Sequence, residues 1–146
     1  MSEGDGGSAE TRPLASLLLI GFNQQQTIAE AIAGALAQTW TPLEILVSDD
    51  ASTDDTFGAM QAAVAGYRGP HRIVLNRNPA NLGIGAHLSQ LVAMSRGELL
   101  FVAAGDDVSL PQRCERVVES WLASGRRLDL IASALVDTYA GGTDHA

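Results

Sequence analysis

The chain contains no lysine, and all nine of its basic residues are arginine. That excludes a Walker-type phosphate lysine and any Schiff-base lysine. Cysteine is almost absent as well. Cys114 stands alone, so no intrachain disulfide can form, which fits a reducing compartment and a cytoplasmic setting. As a side chain it suits a small, buried apolar role. Positive charge is scarce overall: 17 acidic residues give a formal net charge of −8. Such a surface repels nucleic-acid phosphates and anionic lipid, so neither is an expected partner. No apolar run reaches the length of a membrane span, and any membrane association is left to parts outside this chain.

What is present suits one folded domain. The chain has 146 residues, 46% of them hydrophobic, enough for a real core. Residues 1–13 are Gly/Ser-rich and acidic, which reads as a disordered leader. Residues 14–140 carry the periodic segments, and 141–146 read as a flexible tail or boundary. Leu14 to Ile20 is a short apolar run suited to a strand buried on both faces. Thr27 and Glu30 have capping-box spacing ahead of Ile28, Ile32 and Leu36, a helix closed by Thr41-Pro42. Leu43 to Val47 is a second strand. Ser52 is a candidate N-cap, with Asp55 three residues on, for a helix reaching about Gly66. Arg72 to Leu75 is a third strand, Ala86 to Ser95 a helix with Gly97 as its C′ residue, and Glu98 to Ala103 a fourth strand. Pro111 suits the first turn of a helix that stops at Gly125, and Leu128 to Val136 is a fifth strand. Strands alternating with helices predict an α/β fold, a mainly parallel sheet with helices on both faces. Right-handed crossovers put the strand C-terminal ends on one rim, where such sheets bind ligands.

The chemically informative residues all fall at those ends: Gly21-Phe22-Asn23, the run from Ser48 to Asp55, the Asn-rich loop from Asn76 to Gly83, and Gly105-Asp106-Asp107. Two carboxylates about 4 Å apart repel by about 4 kcal/mol at an effective dielectric near 20. They must take up a cation, share a proton or point apart. Hard oxygen ligands together with a diphosphate are a usual setting for Mn²⁺ or Mg²⁺, and a cation would let an acidic rim receive an anionic nucleotide. Plainer readings stand beside these. The Asp49 to Asp55 run also suits a helix N-terminus, and Asp106-Asp107 a solvated turn. Asn81 and Gly83 suit loop geometry, Phe22 a core position, and Trp40 and Trp121 packing. His71, His87 and His145 have no ligand-like spacing and receive no role.

Taken in order, the motifs resemble family 2 glycosyltransferases of the GT-A, nucleotide-diphospho-sugar transferase-like fold. The matching phrases are the aromatic-Asn pair Phe22-Asn23, Gln38-Thr39-Trp40, Leu43-Glu44-Ile45, Asp49-Asp50-Ala51-Ser52-Thr53-Asp54, Asn81-x-Gly83, Arg96-Gly97-Glu98, Asp106-Asp107 and Pro111. They span about residues 15–137. The resemblance implies an inverting, metal-assisted transfer of a sugar from a nucleotide-diphosphate donor to an acceptor hydroxyl. Asp50 would accept a hydrogen bond from the base, with Phe22 and Asn23 beside it. Asn81 and Gly83 would shape the donor loop, and Arg77 would approach the nucleotide. Asp107 would ligate the Mn²⁺ or Mg²⁺ ion, and Asp106 would lie near the ribose or sugar and the ion. Ala104 stands where many members carry the first aspartate of the metal motif, which reduces the number of protein ligands. Ile20 and Gly21 replace a common Pro-Thr. The resemblance also implies an acceptor region and an acidic general base beyond Ala146, so the chain is expected to be a truncated, donor-binding part, poorly active alone. A non-catalytic nucleotide-binding or assembly module of the same fold is the alternative. A receiver domain is set aside, because strand one ends without an acidic pair and no lysine follows strand five.

Overall fold

In a computed structural model, residues 12–126 are described. They form β1 (Ala15–Gly21), α1 (Ile28–Leu36), β2 (Leu43–Asp49), α2 (Thr56–Val64), β3 (Arg72–Arg77), α3 (Ile84–Met94), β4 (Leu99–Ala104) and α4 (Arg113–Ala123). The expected fifth strand, most of the leader, the tail and His145 lie outside the described residues. Arg12 and Pro13, at the inner end of the expected leader, are tied to the fold. The Arg12 guanidinium lies 3.9 Å over the Trp40 ring, and Trp40 Nε1 donates to the Pro13 carbonyl at 3.1 Å.

The sheet is parallel in the order β3-β2-β1-β4. β1 and β2 are central and almost wholly buried, which is why they read as mostly apolar runs. Alternation divides their side chains between two faces. Leu17, Leu19, Ile45, Val47, Phe101 and Ala103 face a core completed by Ile28 and Ile32 of α1, Met60 of α2 and Cys114 and Val118 of α4. Leu18 and Leu46 face the other way, against Leu91 of α3. Burying a leucine or isoleucine fully contributes roughly 1.5–3 kcal/mol. Burial also pushes the Cys114 thiol up to about 12, against the nearby Arg113 charge, so it packs as an inert apolar group. β4 departs from the expected pattern: its alternate residues Leu100 and Val102 are exposed.

Several boundaries differ from the sequence reading. α1 stops at Leu36, before Thr41-Pro42. Thr27 is its N-cap by position, but the hydroxyl caps no helical amide. Ser52 does not cap α2, which begins at Thr56 after Asp55; its hydroxyl and amide instead bind Asp49. Pro111 precedes the Gln112 N-cap of α4 rather than entering its first turn. Gly97 is not a C′ residue, since α3 ends at Met94 with Ser95 extended. Its glycine is required by close approach: a Cβ there would lie 2.5 Å from Ser16 Oγ and 2.7 Å from the Ser16 amide nitrogen. Gly125, with φ +75°, does follow the end of α4.

The Gln38-Thr39-Trp40 phrase is structural. The buried Gln38 amide donates to Leu110 O at 2.8 Å and accepts from Cys114 N at 3.0 Å, joining the end of α1 to the start of α4. Glu44 and Arg96-Gly97 are also structural. Glu44, 1% exposed, accepts from Ser16 Oγ and Arg96 N, both at 2.6 Å, and pairs with Arg72 at 3.1 Å.

Candidate donor-nucleotide site

The register sets Gly21 opposite Asp49 and Ile20 opposite Ala104. β2, β1 and β4 therefore end level on one rim. Asp50 and the Asp106-Asp107 pair leave that rim on either side of β1, about 10 Å apart by two strand spacings. Beside Asp50 opens a cleft of about 410 Å³, lined by Ala51, Ser52, Arg77, Asn78 and Pro79. That size falls in the range of small-molecule sites.

Asp50 organises this end. The residue is 3% exposed. One oxygen, Oδ1, accepts from Asn78 Nδ2 at 2.9 Å and Leu82 N at 2.8 Å; Oδ2 accepts from Gly83 N at 2.9 Å. Asn81 Nδ2 donates to the Asp50 carbonyl at 3.1 Å. Burial pushes the Asp50 carboxyl up, but the hydrogen bonds from Asn78, Leu82 and Gly83 and the nearby His87 outweigh it and hold it below the ordinary 3.8. A carboxylate has about four acceptor positions, so three filled positions leave one on Oδ2. Gly83 has φ 86° and ψ 161°, a region essentially reserved for glycine. Nothing lies within 4 Å of where its Cβ would be, so the backbone angle, not space, requires glycine.

The remaining expected residues divide between this cleft and its surroundings. Phe22 is 44% exposed at the rim, which removes the core alternative. Asn23 has φ 52° and braces the loop opposite: its Oδ1 accepts from Thr53 N at 2.9 Å, and its amide donates to Ser52 Oγ at 2.8 Å. Arg77 lines the cleft, its guanidinium 5.2 Å from the Phe57 ring and 3.7 Å from the buried Asp49 carboxylate. Asp106 is exposed and Asp107 half-buried, with Asp107 N donating to Ala104 O at 3.0 Å. Among the described residues neither forms an ion pair, and no group of three or more His, Cys, Asp or Glu is arranged to hold a metal. Two adjacent carboxylates free of cationic partners fit a hard divalent ion only if a diphosphate and water complete its shell.

Sequence reasoning gave His87 no role and left Ser48, Asn76 and Asn78 among the strand-end residues without one. His87 is 2% exposed and lies 2.6 Å from Ser48 Oγ through Nε2. Ser48 Oγ also accepts from Asn76 Nδ2 at 2.9 Å. With one donor and two acceptor lone pairs, Ser48 Oγ can serve both partners at once. Burial lowers the His87 pKa against the opposing pull of Asp50 and Asp49. Helical period could have found this residue, because His87 precedes Leu91 by one turn on the buried face of α3.

A parallel α/β sheet with this rim is the architecture of GT-A glycosyltransferases. Residues 16–134 match Glycosyl transferase family 2, and the chain belongs to that family. It is 30% identical to EpsE of Bacillus subtilis over 124 residues, which are 85% of this chain and 44% of EpsE. It is 34% identical to the succinoglycan biosynthesis protein ExoO of Rhizobium meliloti over 121 residues, covering 80% of this chain and 32% of ExoO. The chain therefore spans less than half the length of these relatives. Similar folds occur in a mannosyltransferase from Pyrobaculum calidifontis solved with GDP-Man and Mn²⁺ (TM-score 0.67, 23% identity, 77% of this chain and 33% of that one). The S. aureus protein TarS in complex with UDP is another (TM-score 0.66, 20% identity, 75% and 32%).

Proposed function

We propose that this chain is the donor-binding part of an enzyme that transfers a sugar, with inversion, from a nucleotide diphosphate to an acceptor hydroxyl. The observation that carries the reading is the level ending of β2 and β4, which sets Asp50 and Asp106-Asp107 on one rim, with the cleft on the Asp50 side of it. The last acceptor position of Asp50 takes a ring N–H of the base, which uracil, thymine and guanine present. Phe22 offers an apolar face beside it, and Asn23, Asn81 and Gly83 hold the loops that frame it. Arg77 supplies the positive charge at the cleft. Asp107, with Asp106, would ligate Mn²⁺ or Mg²⁺ together with the diphosphate. Such an ion supplies Lewis-acid neutralisation of the charge on the leaving diphosphate. The complexes with GDP-Man and Mn²⁺ and with UDP among the similar structures support this reading. Activation of the acceptor hydroxyl is assigned to a carboxylate outside this chain.

Calorimetry with UDP, GDP and dTDP, each with and without Mn²⁺, tests the proposal. At least one nucleotide is expected to bind, more tightly with the metal. Binding that ignores Mn²⁺ and survives Asp107→Asn would refute the metal assignment. Failure of all three nucleotides to bind would refute the donor site itself.

A further inference from the structure

The rim of β2 and the start of α3 are joined by a closed ring of polar contacts. From Asp50 Oδ1 the ring passes to Asn78 Nδ2 at 2.9 Å, and from Asn78 Oδ1 to Asn76 Nδ2 at 3.1 Å. Asn76 Nδ2 reaches Ser48 Oγ at 2.9 Å, and Ser48 Oγ meets His87 Nε2 at 2.6 Å. His87 N donates to Gly83 O at 2.9 Å across the first turn of α3, and Gly83 N returns to Asp50 Oδ2 at 2.9 Å. Every side chain in the ring is buried or half-buried. Ser48 and Asn76 are register partners on neighbouring strands, so the sheet itself sets their spacing. His87 is the one side chain through which α3 touches this network.

We infer that His87 is a positioning residue for nucleotide recognition, closing a ring that aims the free acceptor position of Asp50 into the cleft. The inference rests on the donor-site reading above and adds a residue that contacts no ligand. Its physical basis is the asymmetry of buried hydrogen bonds. Without His87, the Ser48 hydroxyl loses a hydrogen-bond partner while remaining buried, and both Ser48 and Asn76 must reorient to replace it. Asn78 then loses its fixed partner. The first turn of α3, which follows the Leu82 and Gly83 amides that hold the Asp50 carboxylate, loses its side-chain contact to the sheet. A carboxylate free to rotate still carries charge but no longer presents one lone pair in one direction. Base discrimination should therefore suffer along with affinity, since a direction-dependent contact separates a base with a ring N–H from one without.

The test is nucleotide titration of the full 146-residue chain. His87→Leu, which keeps volume and removes the ring nitrogen that meets Ser48, is expected to weaken the tightest-binding of UDP, GDP and dTDP about tenfold. It should also narrow the preference for UDP over CDP. His87→Gln, which restores a polar terminus at similar reach, should recover most of both. Glu44→Gln weakens the opposite end of the sheet and serves as the control for general destabilisation, with nucleotide affinity unchanged at a comparable loss of Tm. Ser48→Ala removes a single oxygen and should reproduce the His87→Leu loss even if the latter fails to fold. Unaltered affinity and unaltered UDP/CDP preference in both His87→Leu and Ser48→Ala overturn the inference. So does a loss no greater than that of Glu44→Gln. If Asp50→Asn abolishes binding while both ring variants retain it, this inference fails and the donor site stands. If the unmodified chain binds no nucleotide, both fail.

Discussion

Glu44 and Asp50 sit at opposite ends of β2, and each fixes one end of α3. Glu44 accepts the amide of Arg96 just beyond the helix; Asp50 accepts the amides of Leu82 and Gly83 just before it. Both carboxylates are buried, yet their surroundings differ. Glu44 is closed off by the Ser16 hydroxyl and neutralised by Arg72 at 3.1 Å. Asp50 is held by amides and, among the described residues, has no arginine in ion-pair contact. A clamp that neutralises its own charge serves stability. One that leaves charge and an acceptor position at a cleft keeps chemical capacity for a ligand. The strand pairing is the same at both ends; what differs is whether a cation closes the carboxylate.

The largest expected effect breaks the closed end. Glu44→Ala removes the acceptor for Ser16 and Arg96 inside the sheet, and urea denaturation should show a loss of about 3 kcal/mol. Arg72 is half in water and can rehydrate, so the cost comes from the buried partners rather than the ion pair. Nucleotide affinity of the folded fraction should be unchanged. A comparable loss of affinity would mean that the two ends of α3 are coupled through the helix.

At the open end, Asp50→Asn should cost about 2 kcal/mol at neutral pH, because an amide cannot accept all three donors. It should also abolish nucleotide binding. The stability effect carries a pH signature. The folded chain keeps Asp50 ionised below 3.8, so as pH falls the unfolded chain takes up the proton first. Asp50's contribution is therefore complete above 3.8 and is lost as pH drops through the lower, folded-state value. Denaturation curves of both proteins across that range should converge on acidification. A gap that stays constant would show that the hydrogen bonds hold Asp50 without regard to its charge.

Much of this contrast was legible in the sequence, and the unread part has a physical reason. The strands were readable because β1 and β2 are buried on both faces and are mostly apolar. The acidic segments were placed on the correct rim because parallel connectivity leaves strand ends few alternatives. Asp50 was singled out, but its loop contacts were not, because two of its three donors are backbone amides whose direction depends on the turn at Gly83. His87 is legible from its position on the buried face of α3, one turn before Leu91, and not from metal-ligand spacing. Ser52 does not act as a cap because Asp49, three residues before it, and Asn23, on the neighbouring strand end, claim its hydroxyl. Residue type and spacing showed which chemistry was available, while local backbone geometry determined the partners.

That geometry can be tested directly at Gly83, with a smaller effect. Its φ of 86° and ψ of 161° aim its amide, with that of Leu82, at Asp50. Gly83→Ala introduces no collision, since nothing lies within 4 Å of the added Cβ. The whole effect should therefore be backbone strain of roughly 1–3 kcal/mol, less the entropy gained by restricting the unfolded chain. If the folded chain retains that strain, melting should show the loss in full and nucleotide affinity should hold. If the turn relaxes, stability should drop by less, the Gly83 amide should leave Asp50, and affinity should fall instead. Measuring Tm and nucleotide affinity on the same variant separates the two. A loss confined to Tm makes the turn a rigid frame for Asp50; a loss confined to affinity makes it the weakest contact in the open clamp.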